Sequence, residues 1–174
     1  MDKTIKELLA QGLGRDEIFE RLRTKTGNEM RLAEKIATID HGRPSVFLAK
    51  LNHVLLAICL IQSSLAVWAT YYHVVPLDES FGWLGIAVIV LLTVLYFIGL
   101  AKLSFKGYAS FVLFCVMATA HYVYFFSFVP VISIVGVLLA VSGGALSYTM
   151  KVRLFPHMGF MGARKDEAGE YIFE

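Results

Sequence analysis

Three long stretches of this chain carry no formal charge. Leu51–Tyr72, Ser80–Ala101 and Gly107–Met150 contain no Asp, Glu, Lys or Arg. A helix that crosses a bilayer needs about 20 apolar residues. The first two stretches each match one crossing, and the third, 44 residues long, matches two joined by a tight connection. The pattern predicts four transmembrane helices over residues 51–73, 81–101, 108–127 and 130–150. A soluble bundle would show a charged face opposite each apolar stripe, and these stretches have none. Pro130 suits the first turn of the last span, where a missing N–H is no loss.

Residues 1–40 follow a shorter rhythm of three amphipathic helices. "TIKELLAQG" puts Ile5, Leu8 and Leu9 on one face; "RDEIFERLRT" groups Ile18, Phe19 and Leu22; "EMRLAEKIATI" aligns Leu32, Ile36 and Ile39. Asn28 is positioned as an N-cap for the third, and Gly42 and Pro44 end it. The fold class expected is therefore all-α: a polytopic membrane protein with four transmembrane helices, preceded by a small cytoplasmic three-helix module. The expected division is 1–44 for the module, 45–150 for the membrane domain and 151–174 for a cytoplasmic tail. A core of about 40 residues seldom stands alone, so the module is expected to dock on the membrane surface, a sister subunit or a partner. The tail carries Leu154, Phe155, Met158, Phe160 and Met161 and ends in the apolar pair Ile172 and Phe173. It is expected to dock on the module or a partner, or to lie loose.

Composition agrees with the pattern: 57% of residues are hydrophobic and 17% charged, where soluble domains carry about a quarter. Charge then supplies an orientation. All 16 Lys and Arg fall on one side of a four-span arrangement: ten before the first span, Lys102 and Lys106 between the second and third, and four after the last. The opposite connection holds Asp78 and Glu79 with no Lys or Arg. Positive flanks stay on the cytoplasmic side, which predicts a multi-pass protein with both termini cytoplasmic (in the plasma membrane, or the inner membrane if bacterial). Trp68, Tyr71, Tyr72, Phe81, Trp83, Tyr122, Tyr124 and Phe128 are expected as an outer aromatic girdle, with Phe105, Tyr108 and Tyr148 at the inner ends. The module mixes acids and bases too evenly to read nucleic acid.

Within the spans, Gly136, Ala140 and Gly144 recur at intervals of four, as do Gly143 and Ser147. Small residues at that spacing let two helix backbones approach closely, within one chain or between chains. Gln62, His73 and His121 are the candidate functional polar positions. Gln62 lies near mid-depth, and amides there bond across helices. His121 is expected to be a neutral imidazole bonded to a hydroxyl or carbonyl of a neighbouring helix, with Thr70 and Tyr71 near its depth. No span contains a carboxylate or a cationic side chain, which argues against a voltage sensor or a carboxylate proton relay. The sequence holds no nucleophile–base set, metal motif or cofactor fingerprint. The expected function is thus a non-enzymatic membrane scaffold or accessory subunit without catalytic, cofactor-binding or metal-ligating residues. Its partners would be the lipid bilayer, a second copy or a membrane complex, and a cytosolic protein bound through residues 1–44. The alternative is a small oligomeric channel or carrier.

Overall fold

A computed structural model describes residues 1–39, 45–159, 162–167 and 169–173. The break expected at Gly42 and Pro44, and the tail residues Phe160 and Met161, lie outside the described residues. The described chain forms seven α-helices, four of them long and apolar enough to cross a membrane. It divides into two compact units: Met1–Pro44 with Val152–Glu174, and Ser45–Lys151.

The first unit contains α1 (Asp2–Ala10), α2 (Arg15–Arg23) and α3 (Glu29–Thr38). Local chemistry sets their ends. Gly12 takes φ +83 after α1, a conformation open to glycine. The Gly14 amide donates to Glu17 Oε2 at 3.1 Å ahead of α2. Asn28 caps α3 by accepting from the Arg31 amide at 2.9 Å. Ile5, Ile18, Leu32, Ala33, Ile36 and Ala37 are wholly buried. The tail completes this core: the Phe19 ring meets Tyr171 at 5.4 Å and Phe173 at 5.6 Å, and Arg15 donates to the His157 ring. Phe155, Met158 and Phe173 are buried in turn. Three helices of this length are too small a core on their own, and the tail's aromatics enlarge it.

Lys35 holds Asp2 at 2.6 Å, tying α3 to α1 and lowering the Asp2 carboxyl below its usual range. A lowered carboxylate stabilises the fold above its unfolded value, and that contribution disappears as pH falls through the lowered one.

The second unit holds α4 (Val46–His73), α5 (Glu79–Ala101), α6 (Phe105–Tyr124) and most of α7 (Pro130–Leu154), with a 3-10 turn at Phe125–Ser127. The helices outrun the predicted spans where caps allow it. Ser45 starts α4 early by accepting from the Leu48 amide. Burial on α4 falls at Asn52, Leu55, Cys59, Gln62 and Ala69, and on α7 at Ser133, Gly136, Ala140, Gly143, Ser147 and Met150. Steps of three and four of this kind form the seam of left-handed helix packing. Helix α5 is the least enclosed of the four: Gly82 and Leu100 near its two ends are its buried residues.

The α5–α6 turn is the tightest connection. The Ser104 amide bonds to the Gly99 carbonyl and the Leu103 amide to Leu100, a Schellman pair that requires a left-handed residue at Leu103 (φ 50). Leucine there costs about 1–2 kcal/mol of strain. The turn also brings Gly99 against Gly107; a Cβ on Gly107 would fall 2.5 Å from the Gly99 carbonyl carbon. We expect Leu103→Gly to raise the thermal midpoint of the detergent-purified protein. Gly107→Leu should leave no monodisperse folded species on size-exclusion chromatography.

Candidate functional site

Helix α4 organises the interior through side chains that bond to its neighbours. At the end of the bundle that carries Lys50, Lys102 and Lys106, Asn52 is 6% exposed. Its Nδ2 donates to the Leu100 carbonyl of α5 at 3.1 Å, and its Oδ1 accepts from the Tyr108 hydroxyl of α6 at 2.7 Å. Ser147 of α7 donates to the Tyr108 carbonyl at 3.0 Å. One layer therefore joins all four long helices. The Leu100 carbonyl belongs to the last turn of α5 and also accepts the Leu103 amide of the cap, so Asn52 uses its second lone pair to tie the end of α5 to α4.

A second layer lies about 15 Å further along α4 at 1.5 Å per residue. There the Tyr122 hydroxyl donates to the Gln62 backbone carbonyl at 3.0 Å, and Thr93 donates to the Ser63 hydroxyl at 2.7 Å. Gln62 is fully buried; its Oε1 meets Cys115 Sγ at 3.9 Å, and its Nε2 has no hydrogen-bond partner. Between α4 and α5 runs a groove of about 490 Å³, lined by Ser63, Ser64, Trp68, Tyr71, Tyr72 and Thr93 among others.

A third cluster sits at the opposite end, near Asp78 and Glu79. His73 ends α4 and His121 lies in the last turn of α6. Both rings pack on Phe125, at centroid distances of 6.0 and 4.7 Å. A cavity of about 370 Å³ beside them is lined by His73, Tyr72, Pro76, Tyr124, Phe125 and Phe128, with Val74 and Leu77. The two histidines thus share an aromatic neighbour. Among the described residues no group of three or more His, Cys, Asp or Glu is placed to hold a metal ion.

The bond expected for His121 is not made: its Nε2 is buried without a partner, and the ring rests on Phe125 and Tyr122. Thr70, which lies near that depth, is committed to the Ala66 carbonyl of its own helix at 2.9 Å. Tyr71 is exposed and meets the Trp83 ring edge to face at 6.0 Å. Three aromatics also depart from expectation, and Phe105, expected at the inner end of its span, is buried at 7% exposure. Tyr108 and Tyr122, read as girdle residues, are interior at 0% and 2% exposure, because their hydroxyls find acceptors on α4. The missed signal was spacing: Tyr108, Cys115 and Tyr122 recur every seven residues on one face of α6.

The small-residue stripe of α7 lies against α6 and α4 of the same chain. A Cβ on Gly136 would fall 2.5 Å from the Tyr122 ring, one on Gly143 2.9 Å from Ile58, and one on Gly144 3.2 Å from Cys115 Cβ. Ala140 is buried in the same row, and Ser147 makes the Tyr108 bond.

No family model, curated protein or solved structure matches this chain.

Hydrogen bonds between helices in apolar surroundings contribute about 0.6 kcal/mol on average, up to about 1.7. Tyr108→Phe removes one donor and keeps the ring, so it should lower stability by about 1 kcal/mol. Asn52→Leu removes both bonds and leaves the buried Tyr108 hydroxyl without its acceptor, so it should cost more. Reversible unfolding in mixed micelles checks the order, and a larger loss for Tyr108→Phe would refute it. His121→Gln should leave the unfolding midpoint within a degree or two of wild type, since no bond is lost from the ring's buried nitrogen; a large drop would show otherwise.

Proposed function

We propose that this chain is an integral membrane scaffold or accessory subunit: four crossings by α4–α7, both termini cytoplasmic, and a folded module built from both chain ends as the part available to soluble partners. Its role is non-enzymatic. Charge supports the topology. Within Ser45–Lys151 the acids are Asp78 and Glu79 at one end, and the basic residues Lys50, Lys102, Lys106 and Lys151 lie at the other. Cytoplasmic retention of lysine flanks then orients the bundle.

The observation that carries the scaffold reading is how the bundle interior is filled. Tyr108, Phe111, Leu55, Gln62 and Tyr122 fill it, each less than 3% exposed, and the Tyr108 and Tyr122 hydroxyls bond to Asn52 and to the Gln62 backbone carbonyl of α4. A carrier must open a hydrated path, and these ties hold the path shut within one chain. The hydroxyl-bearing groove between α4 and α5 supports a second reading, an oligomeric channel or carrier in which copies combine to line a pore.

Two measurements test this. In a Cys59→Ala/Cys115→Ala background, an impermeant maleimide applied to intact cells should label Leu77→Cys, which is 86% exposed. It should label Asp2→Cys and Lys165→Cys only after permeabilisation. Proteoliposomes of the purified chain should show no ion flux above empty vesicles. Labelling of all three sites in intact cells would sink the topology, and selective flux would replace the scaffold with the channel.

A further inference from the structure

The cavity of about 370 Å³ at the acidic end of the bundle is walled mainly by rings. Tyr72 and His73 reach it from the end of α4, Tyr124 from the end of α6, and Phe125 and Phe128 from the turn beyond. The rings hold one another in place. His73, Phe125 and Phe128 form a triangle with centroid separations of 6.0, 6.4 and 6.2 Å, and Tyr124 meets Phe125 at 5.4 Å. Phe125 is buried, whereas Tyr72, Tyr124 and Phe128 are each more than half exposed, so aromatic surface stays open to an occupant.

The electrostatics here have one sign. Helix α4 ends at His73 and α6 at Tyr124, and helix C-termini carry partial negative charge. The turn after α4 adds two carboxylates. The Asp78 amide donates to the Val74 carbonyl at 3.0 Å, which ties Asp78 to a residue of the cavity wall, and Glu79 follows it. Gly82 packs so closely on this turn that a Cβ would fall 2.6 Å from Val75 Cα, which fixes the turn against α5. Asp78 also caps α5 by accepting from the Phe81 amide, but neither carboxylate forms an ion pair among the described residues. No Lys or Arg lies between Lys50 and Lys102 or between Lys106 and Lys151.

We propose that this cavity binds a small organic cation through a quaternary ammonium group. Aromatic rings attract such a group through their quadrupole, and its methyls suit apolar walls without hydrogen-bond partners. A primary ammonium brings three N–H donors that phenyl rings leave unmatched. A phosphocholine headgroup carries the same quaternary nitrogen, but its phosphate would meet two carboxylates and two helix C-termini with no Lys or Arg to receive it. The occupant is therefore a free cation and not a lipid headgroup. The site belongs to the bundle alone and goes beyond the scaffold reading, which requires no ligand.

The test uses the full chain in nanodiscs of phosphatidylglycerol and phosphatidylethanolamine, which contain no choline, with empty nanodiscs as the blank. Equilibrium dialysis compares choline, its uncharged carbon isostere dimethylbutanol, and phosphocholine. Choline should bind about fivefold more tightly than the isostere, and more tightly than phosphocholine. Y124L/F128L changes two exposed rings and should abolish the preference for choline over the isostere. F126L alters the same turn but lines a different cavity, and it should keep wild-type affinity. Glu79→Gln should weaken choline by about twofold and leave the isostere unchanged. Equal binding of choline and isostere by wild type would overturn the site without recourse to any variant. Phosphocholine binding as tightly as choline would also overturn it and name a lipid headgroup as the occupant. A choline preference that survives Y124L/F128L would refute the role given to these rings. These outcomes leave the scaffold reading to the flux measurement, so the two fail separately.

Discussion

One amide side chain, Asn52, holds the long helices in register. It donates to the last turn of α5 and accepts from a tyrosine of α6, whose own carbonyl receives a hydroxyl from α7. In an apolar medium, packing alone discriminates poorly between neighbouring registers, since one greasy surface resembles the next. A slip of α4 by one residue would break both Asn52 bonds and leave the buried Tyr108 hydroxyl without its acceptor. The rest of the bundle follows from that fixed layer: the glycine stripe of α7 meets α6 at the height where Tyr122 and Cys115 need room.

Polar groups elsewhere in the bundle are less completely matched. Gln62 Nε2, Ser133 Oγ and the Nε2 atoms of His73 and His121 are buried without partners. They cluster toward mid-depth and the acidic end, while the lysine end is saturated. The bundle is thus more firmly specified at one end than at the other. That asymmetry matches the geometry of the turns, since the tight glycine contact and the Schellman cap both belong to the lysine end.

The element inventory was legible because charge and hydropathy change sharply along the chain and because Asn28 caps α3 by a local rule, whereas the caps at Ser45, Asp78 and Ser104 set helix starts that hydropathy alone does not mark. What could not be read was pairing. Asn52 stands out as polar in the sequence, yet nothing local names Tyr108 as its partner 56 residues away. Tyrosine at a predicted span end has two homes, the headgroup region and the interior, and only a hydroxyl acceptor on a neighbouring helix decides between them. His121 failed the other way: a polar ring was expected to find a bond, but its neighbours had already turned their hydroxyls onto their own helices. Leu103 hid its role because left-handed caps are expected at glycine, and here the strain falls on a leucine.

The contact of Phe19 with Tyr171 and Phe173 has a consequence for how the molecule is made. Helix α2 is synthesised before the four long helices, and Tyr171 and Phe173 after them. The Phe19 ring therefore meets these two partners only once every long helix between them has been made, which couples completion of this aromatic cluster to completion of the bundle.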